Sequence, residues 1–465
     1  MIMTVPVLRS KLASVSKILA GIVFVSFITR VCGFTWIFAH KGLTPFTYSD
    51  SVGYLALART IWDTHTFSTF VNGALVPEIY RTPGLPVLLA PFATGTFLPL
   101  ALYPLLVSIL AGILLPTLSY LIARRYVSEQ AALVTAFFSG CELNLVFYSW
   151  PFLTEMPFLL LALGGLHLVL DGYEQQSRAH SVLGGMLLGL SLYMRPGFLP
   201  IYTVTILGTL LFQFIEAKTL VRSTFFVGIA CFFVLSPWFL RMHSITGTFA
   251  LGGVGWRNVY TDYVASIRSV EQHTNFKNEK NNLKATATQY GIPEGGYNNP
   301  ANNALIRKVA LTEVFAHKLT TIKLEILLLF SFFTNDNYYY LLVKYGFIPQ
   351  TAGHISATYA VLSDGIHAIP ALFSEMARQY FIPFIGRIIS IGLIIGAVVG
   401  FFRVRNRIRY VLASVIILAA ITSTVSGLGV ESRFRVPIMP FIFMLASPVL
   451  VLTYESIRTK LRLII

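Results

Sequence analysis

Residues 48–86 read YSDSVGYLALARTIWDTHTFSTFVNGALVPEIYRTPGLP. They form the first long stretch containing polar residues after an apolar run. Val52, Leu55, Ala58 and Trp62 recur at helical spacing, which predicts a short amphipathic helix starting at Asp50. Glu78, Tyr80 and Arg81 follow before the chain turns apolar again at Pro83-Gly84. A carboxylate and a fixed cation therefore stand at two ends of one membrane-side loop, an arrangement suited to sugar or phosphate chemistry. Asp50 has two compatible readings. It can cap the helix, satisfying free N–H groups and the helix dipole, or it can face a substrate.

Outward from this loop, the chain is apolar. Of 465 residues, 55% are hydrophobic and 12% charged, whereas about a quarter are charged in soluble domains. The fold class is an all-α polytopic membrane protein. The formal charge of +15 does not imply a nucleic-acid partner, because Lys and Arg cluster at the ends of apolar runs, as the positive-inside rule describes. Cys32, Cys141 and Cys231 lie in apolar stretches and read as buried thiols rather than a disulfide or metal framework. No Asn-X-Ser/Thr sequon occurs. Arg9, Lys11 and Lys17 precede an apolar run over 18–38 with no small-residue cleavage pattern, so it reads as an uncleaved first span.

Further spans are expected near 98–123, 131–149, 153–170, 181–194, 198–215, 223–240, 382–402, 410–426 and 436–453. Together they make a bundle of roughly ten or more helices, with both termini cytoplasmic. Residues 1–240 read as an N-terminal membrane core with its first outer loop at 40–84. Residues 241–380 read as mostly periplasmic, with a surface helix near 302–318, an interfacial run at 326–333 and an ambiguous segment at 355–373. Residues 381–465 supply the last membrane helices. This parity puts every strongly basic short loop inside. It leaves Asp50, Arg195, Arg433 and Arg435 on the outer face. No internal repeat of the kind that builds two-halved transporters is visible.

Ionisable residues at membrane depth are costly and often functional. Glu155 begins one span at the outer interface, and Glu142 lies within another, where a polar contact to a neighbouring helix is the alternative reading. Outer-face arginines run against the positive-inside tendency. Arg81, Arg433 and Arg435 can clamp a phosphate of a lipid-linked substrate, or they can snorkel to lipid phosphates. There is no Walker or Rossmann glycine loop, no His-Glu-x-x-His, no metal-ligand spacing among the nine histidines, and no Gly-x-Ser-x-Gly elbow. The remaining groups suit transfer from a lipid-phosphate donor to a hydroxyl, with a carboxylate as general base and arginines stabilising the leaving phosphate. A divalent ion near Asp50 is compatible with this chemistry, but no set of metal ligands is visible.

The pattern Asp50-Ser51-x-x-Tyr54-Leu55-x-Leu57-Ala58, then Phe67-Ser68, then Arg81-Thr82-Pro83-Gly84-x-Pro86 resembles the first outer loop of the GT-C glycosyltransferases. Bacterial protein O-mannosyltransferase-like and aminoarabinose-to-lipid-A transferase-like enzymes are the similar branches. Leu153-Thr154-Glu155, Tyr193-Met194-Arg195-Pro196, Pro237-Trp238-x-x-Arg241, Gly253-x-x-Trp256-x-Asn258 and Glu431-Ser432-Arg433-Phe434-Arg435-x-Pro437-x-x-Pro440 resemble further elements in the same order. The resemblance implies a GT-C-type bundle with an outer-face domain, a polyprenyl-phosphate-sugar donor, and inverting transfer to a glycan, glycolipid or protein acceptor. It implies Asp50 as the catalytic base and Arg81 as a donor-phosphate contact, with Arg433 and Arg435 helping. Tyr54, Glu78, Glu142, Glu155, Arg195 and Arg241 are the remaining cavity candidates. There are departures. Eukaryotic-type protein mannosyltransferases and the aminoarabinose-transferase relatives carry Asp-Glu where this chain has Asp50-Ser51, the latter carry Lys-Pro-Pro where it has Arg81-Thr82-Pro83, and Met242 follows Arg241 where Asn is usual. The expected setting is a bacterial inner membrane with a periplasmic site. A lipid or polysaccharide flippase would line a path with charges through the full membrane depth, and an O-antigen ligase-type enzyme would lean on several outer cations rather than a first-loop aspartate.

Overall fold

The structure is a computed structural model that describes residues 5–71, 73–93, 99–216, 218–293, 296–349, 381–404 and 406–464. The ambiguous segment at 355–373 lies outside the described residues. Ten membrane-bundle helices succeed one another with the apolar runs that predict them. They are α1 (Val5–Lys41), α4 (Leu102–Ala123), α5 (Glu129–Cys141), α7 (Glu155–Glu174), α8 (Arg178–Met194), α9 (Leu199–Glu216), α10 (Lys218–Thr246), α17 (Phe381–Arg403), α18 (Ile408–Thr424) and α19 (Met439–Ile464). Six spans are long and apolar enough to cross a membrane: Val15–Lys41, Leu102–Ala123, Glu155–Glu174, Val221–Thr246, Ile385–Arg403 and Ser432–Lys460. The protein is a multi-pass integral membrane protein. The other four bundle helices have 13 to 18 residues, near or below the length needed to cross the hydrocarbon layer.

One expected span is divided. The run 131–149 breaks at Glu142, whose backbone is extended (ψ 132°), and α6 (Leu143–Phe147) starts afresh. Glu142 accepts a hydrogen bond from the N–H of Leu145 at 2.9 Å, so it caps α6.

Close packing follows from small residues. A Cβ on Gly165 would stand 3.0 Å from the carbonyl of Gly184, and one on Gly184 would stand 2.9 Å from that of Gly165. Helices α7 and α8 therefore approach backbone to backbone, the usual means of association where lipid removes the hydrophobic drive between helices. The main apolar core includes Trp150, Phe152, Leu163 and Phe443, all buried.

Between α1 and α4 lie α2 (Ser49–Thr64), an antiparallel hairpin of β1 (Ser68–Val71) and β2 (Ala74–Pro77), and α3 (Gly84–Ala93). Ser68 pairs with Pro77 and Val71 with Ala74. Beyond α10, the helices α11 (Val254–Asn258), α12 (Val264–Glu271), α13 (Phe276–Ala285) and α14 (Asn303–Ala316) enclose a second small core. It is built on Tyr260, Val264, Leu283 and Ile306, separate from that of the bundle. The surface helix expected near 302–318 is α14. The run 326–333 is the end of a longer helix, α15 (Lys318–Thr334), followed by α16 (Tyr338–Tyr345).

Candidate active site

Helix α2 starts at Ser49, one residue earlier than the sequence suggests, with Asp50 in its first turn. The capping task falls to Ser51. Its Oγ accepts from the N–H of Tyr48 and donates to the carbonyl of Phe152, both at 3.0 Å. Asp50 is thereby free to face cations. Its Oδ2 lies 2.9 Å from Arg433 Nη1 and its Oδ1 3.7 Å from Arg81 Nη2. The side chain keeps 43% of its surface exposed, so a substrate hydroxyl can reach it. Burial pushes the Asp50 carboxyl up, but the charges of Arg433 and Arg81 outweigh it and hold it below the ordinary aspartate value.

Arg433 binds two carboxylates at once. Its Nε donates to Glu155 Oε1, which also lies 2.9 Å from Arg195 Nη1. Glu155 is fully buried at the first turn of α7, and its second oxygen has no hydrogen-bond partner. A buried ionised carboxylate needs such cations around it. Glu431 stands beside Arg433, open to the cavity. Enclosure by the cavity walls pushes its carboxyl up, and Asp50 and Glu155 add to this against the pull of Arg433.

Arg81 is held in place by its surroundings. Its guanidinium stacks 4.3 Å from the Tyr54 ring centre. Gly53 makes room, since a Cβ there would stand 2.8 Å from Arg81 Nη2. Glu78 Oε1 accepts from the N–H groups of Tyr80 and Arg81 at 2.6 and 3.0 Å, which closes the turn carrying Arg81. Arg241 donates to the carbonyls of Glu78 and Phe67 at 3.0 and 2.8 Å, tying together the two feet of the hairpin. It also stacks on Trp238 at 4.7 Å. Glu78 and Arg241 are thus positioning residues rather than parts of the cavity wall.

Two expected site residues go elsewhere. Arg435 is buried and donates through both terminal nitrogens to the carbonyls of Phe332, Phe333 and Asn335 and to Ser390 Oγ, so it caps the end of α15 and does not line the cavity. The short 3-10 turns around it send Arg433 and Arg435 to different neighbours. Glu142 accepts from Asn144 Nδ2 at 3.0 Å and from the Tyr338 hydroxyl at 2.7 Å, the helix-contact alternative rather than the cavity. It acts only at a remove, since Asn144 Oδ1 accepts from Ser432 Oγ at 3.1 Å beside Arg433.

The cavity measures about 530 Å³, and its lining includes Asp50, Tyr54, Arg81, Arg195, Glu431 and Arg433. The far wall is formed by Asn258, which the resemblance included, and by Arg257, Asp262 and Lys280, which sequence reasoning missed. The only signal for these was positive charge in an outer segment. Sequence reasoning also missed Arg30, which is fully buried within α1 and donates to Ser26 Oγ at 2.7 Å and to the carbonyl of Gly140. Among the described residues, no three His, Cys, Asp or Glu side chains gather as metal ligands. The carboxylates of Asp50 and Glu155 are engaged by guanidiniums instead.

No family model matches the sequence, and no curated protein sequence matches it. Solved structures do. The oligosaccharyltransferase of Archaeoglobus fulgidus, tethered to an acceptor peptide, superposes with a TM-score of 0.50 at 14% identity, over 96% of this chain and 50% of that one. The oligosaccharyltransferase AglB from Archaeoglobus fulgidus, in complex with an inhibitory peptide and a dolichol-phosphate, gives 0.50 at 14%, over 97% of this chain and 52% of that one. The chain shares the helical membrane fold of these solved structures. The chain spans about half the length of the proteins it resembles.

Proposed function

We propose that the protein is an integral membrane glycosyltransferase that moves a sugar from a polyprenyl-phosphate donor to an acceptor hydroxyl, with inversion. The observation that carries this reading is the cavity in which a half-open carboxylate, Asp50, faces Arg433 and Arg81. The donor phosphate binds at Arg81 and Arg433 and displaces Asp50 from its guanidinium partners. Released from those charges, Asp50 becomes a stronger base. It takes the proton of the acceptor hydroxyl as the acceptor oxygen bonds to the anomeric carbon. The bond from that carbon to the phosphate oxygen breaks on the opposite face, and the phosphate leaves on its lipid. Arg81 and Arg433 stabilise the charge that develops on it. Glu155 and Arg195 fix the position of Arg433.

The likeness to a protein solved with a dolichol-phosphate supports a lipid-linked donor. Sidedness supports an outer-face site. Arg124 and Arg125 follow α4, and Arg125 pairs with Asp171 at 2.6 Å near the end of α7 away from Glu155. Arg403 and Arg409 flank the junction of α17 and α18, and Arg458 and Lys460 lie in the C-terminal part of α19. These basic ends lie at helix termini opposite the cavity, as the positive-inside rule expects of a periplasmic site in a bacterial inner membrane.

The test is transfer by purified protein in detergent, with a panel of radiolabelled polyprenyl-phosphate sugars and an envelope glycolipid extract, reading the anomeric configuration of the product. Inverted product is expected. Retained configuration, or lipid movement without glycosidic bond formation, would contradict the reading.

A further inference from the structure

The cavity has a second charged end, remote from Asp50 in sequence and built by the outer helical unit. Arg257 and Asn258 come from α11, Asp262 from the turn that follows, and Lys280 from α13. Among the described residues Arg257 meets no carboxylate. Its Nη1 donates to Asn258 Oδ1 at 3.0 Å, and its Nε is buried with no hydrogen-bond partner. Lys280 pairs with Asp262 Oδ1, while the other oxygen of Asp262 accepts from Thr261 Oγ1 at 2.7 Å, so that one carboxylate is fully used. Lys284 lies close enough that burial, Lys280 and Arg257 push its amine below the ordinary lysine value. Three cations thus gather around one carboxylate, which only Lys280 engages, and Arg257 and Lys280 line the cavity. A partly buried cation without a counter-charge is costly, and the donors lie at a cavity where an anion can meet them.

The two charged ends stand on one aromatic ring. Tyr80 carries the Arg81 guanidinium at 5.9 Å and that of Arg257 at 5.2 Å from its ring centre. The ring therefore links two cationic positions, one beside Asp50 and one beside Lys280. If the donor phosphate occupies the first, the second meets the other substrate. A neutral glycan would leave these donors uncompensated.

We propose that Arg257 and Lys280 form a subsite for an anionic group, a phosphate or carboxylate, carried by the acceptor glycan. This rests on the transferase reading for the word acceptor, but the anion site itself can be tested without turnover. The full chain in detergent would be titrated calorimetrically with glucose 6-phosphate, glucuronate and glucose. The charged sugars should bind at least about tenfold more tightly than glucose. Arg257→Gln and Lys280→Gln should each remove most of that preference, Arg257→Lys should keep a good part of it, and Arg81→Gln should leave it within about twofold. Circular dichroism matched to wild type excludes misfolding of each variant. Farnesyl phosphate, a short probe for the donor, should not compete for the site. The proposal is overturned if the charged sugars bind no more tightly than glucose. It is also overturned if Arg81→Gln rather than Arg257→Gln removes the preference, or if farnesyl phosphate displaces the sugar, since the anion is then the donor's.

Discussion

Arg433 is the side chain on which the site turns, because one guanidinium faces both Asp50 and Glu155. Arg433→Gln should lower transfer by about 100-fold or more, as loss of a transition-state charge clamp does. It should also move the acid limb of the pH–rate profile upward. The sign follows from Asp50, whose value is lowered by Arg433 and Arg81. Its ionised form persists until pH falls below the ordinary aspartate value of roughly 3.9, and without Arg433 protonation sets in at higher pH. A pH–kcat/KM profile of both proteins reads this shift. Arg433→Lys should rescue little, since one ammonium cannot reproduce a guanidinium's forked reach to two carboxylates. Much of this site was legible in the sequence. Asp50, Arg81, Glu155, Arg195 and Arg433 do come together. Arg435 misled because two arginines one residue apart look alike in sequence, whereas a short 3-10 turn gives them different neighbours.

At the scale of elements, the loop is held by its hairpin. Arg241 ties the carbonyls of Phe67 and Glu78, the two feet, and Glu78 closes the turn into Arg81. Arg241→Ala should loosen residues 67–81 and misplace Arg81. Donor KM should then rise several-fold or more while the bundle stays folded, and amide hydrogen exchange over 67–81 should quicken. Unchanged exchange there would show that the clamp is not needed. The hairpin had a signal that the sequence reading passed over, because Asn72-Gly73 between short apolar runs favours a two-residue β-turn. The helices were legible because each is an apolar run bounded by polar or charged residues. The break at Glu142 was not, because an extended residue between two apolar helices leaves no pattern in hydropathy.

The whole molecule puts its candidate catalytic cluster at one end of a bundle and its basic loops at the other. Val76 is 41% exposed on the hairpin, and Asn406 lies between α17 and α18 on the basic side. In a background with Cys32, Cys141 and Cys231 replaced by Ser, a membrane-impermeant thiol reagent should label Val76→Cys in intact spheroplasts, and Asn406→Cys only after permeabilisation. The reverse pattern would invert the proposed topology. Helix order was readable from the apolar runs. The far wall of the cavity was not, because only tertiary packing between distant parts of the chain sets Arg257 on Tyr80 and brings Lys280 into the same cavity.

The most direct test of the central claim is Asp50→Asn. Asn keeps the shape and polarity of the side chain at the start of α2 and removes only its charge and basicity. Initial transfer rates would be measured from a saturating radiolabelled polyprenyl-phosphate sugar, at matched folded yield. A loss of roughly 100-fold to 10,000-fold is predicted for a true general base. Transfer within about twofold of wild type would contradict the account, because Asp50 would then contribute only local structure.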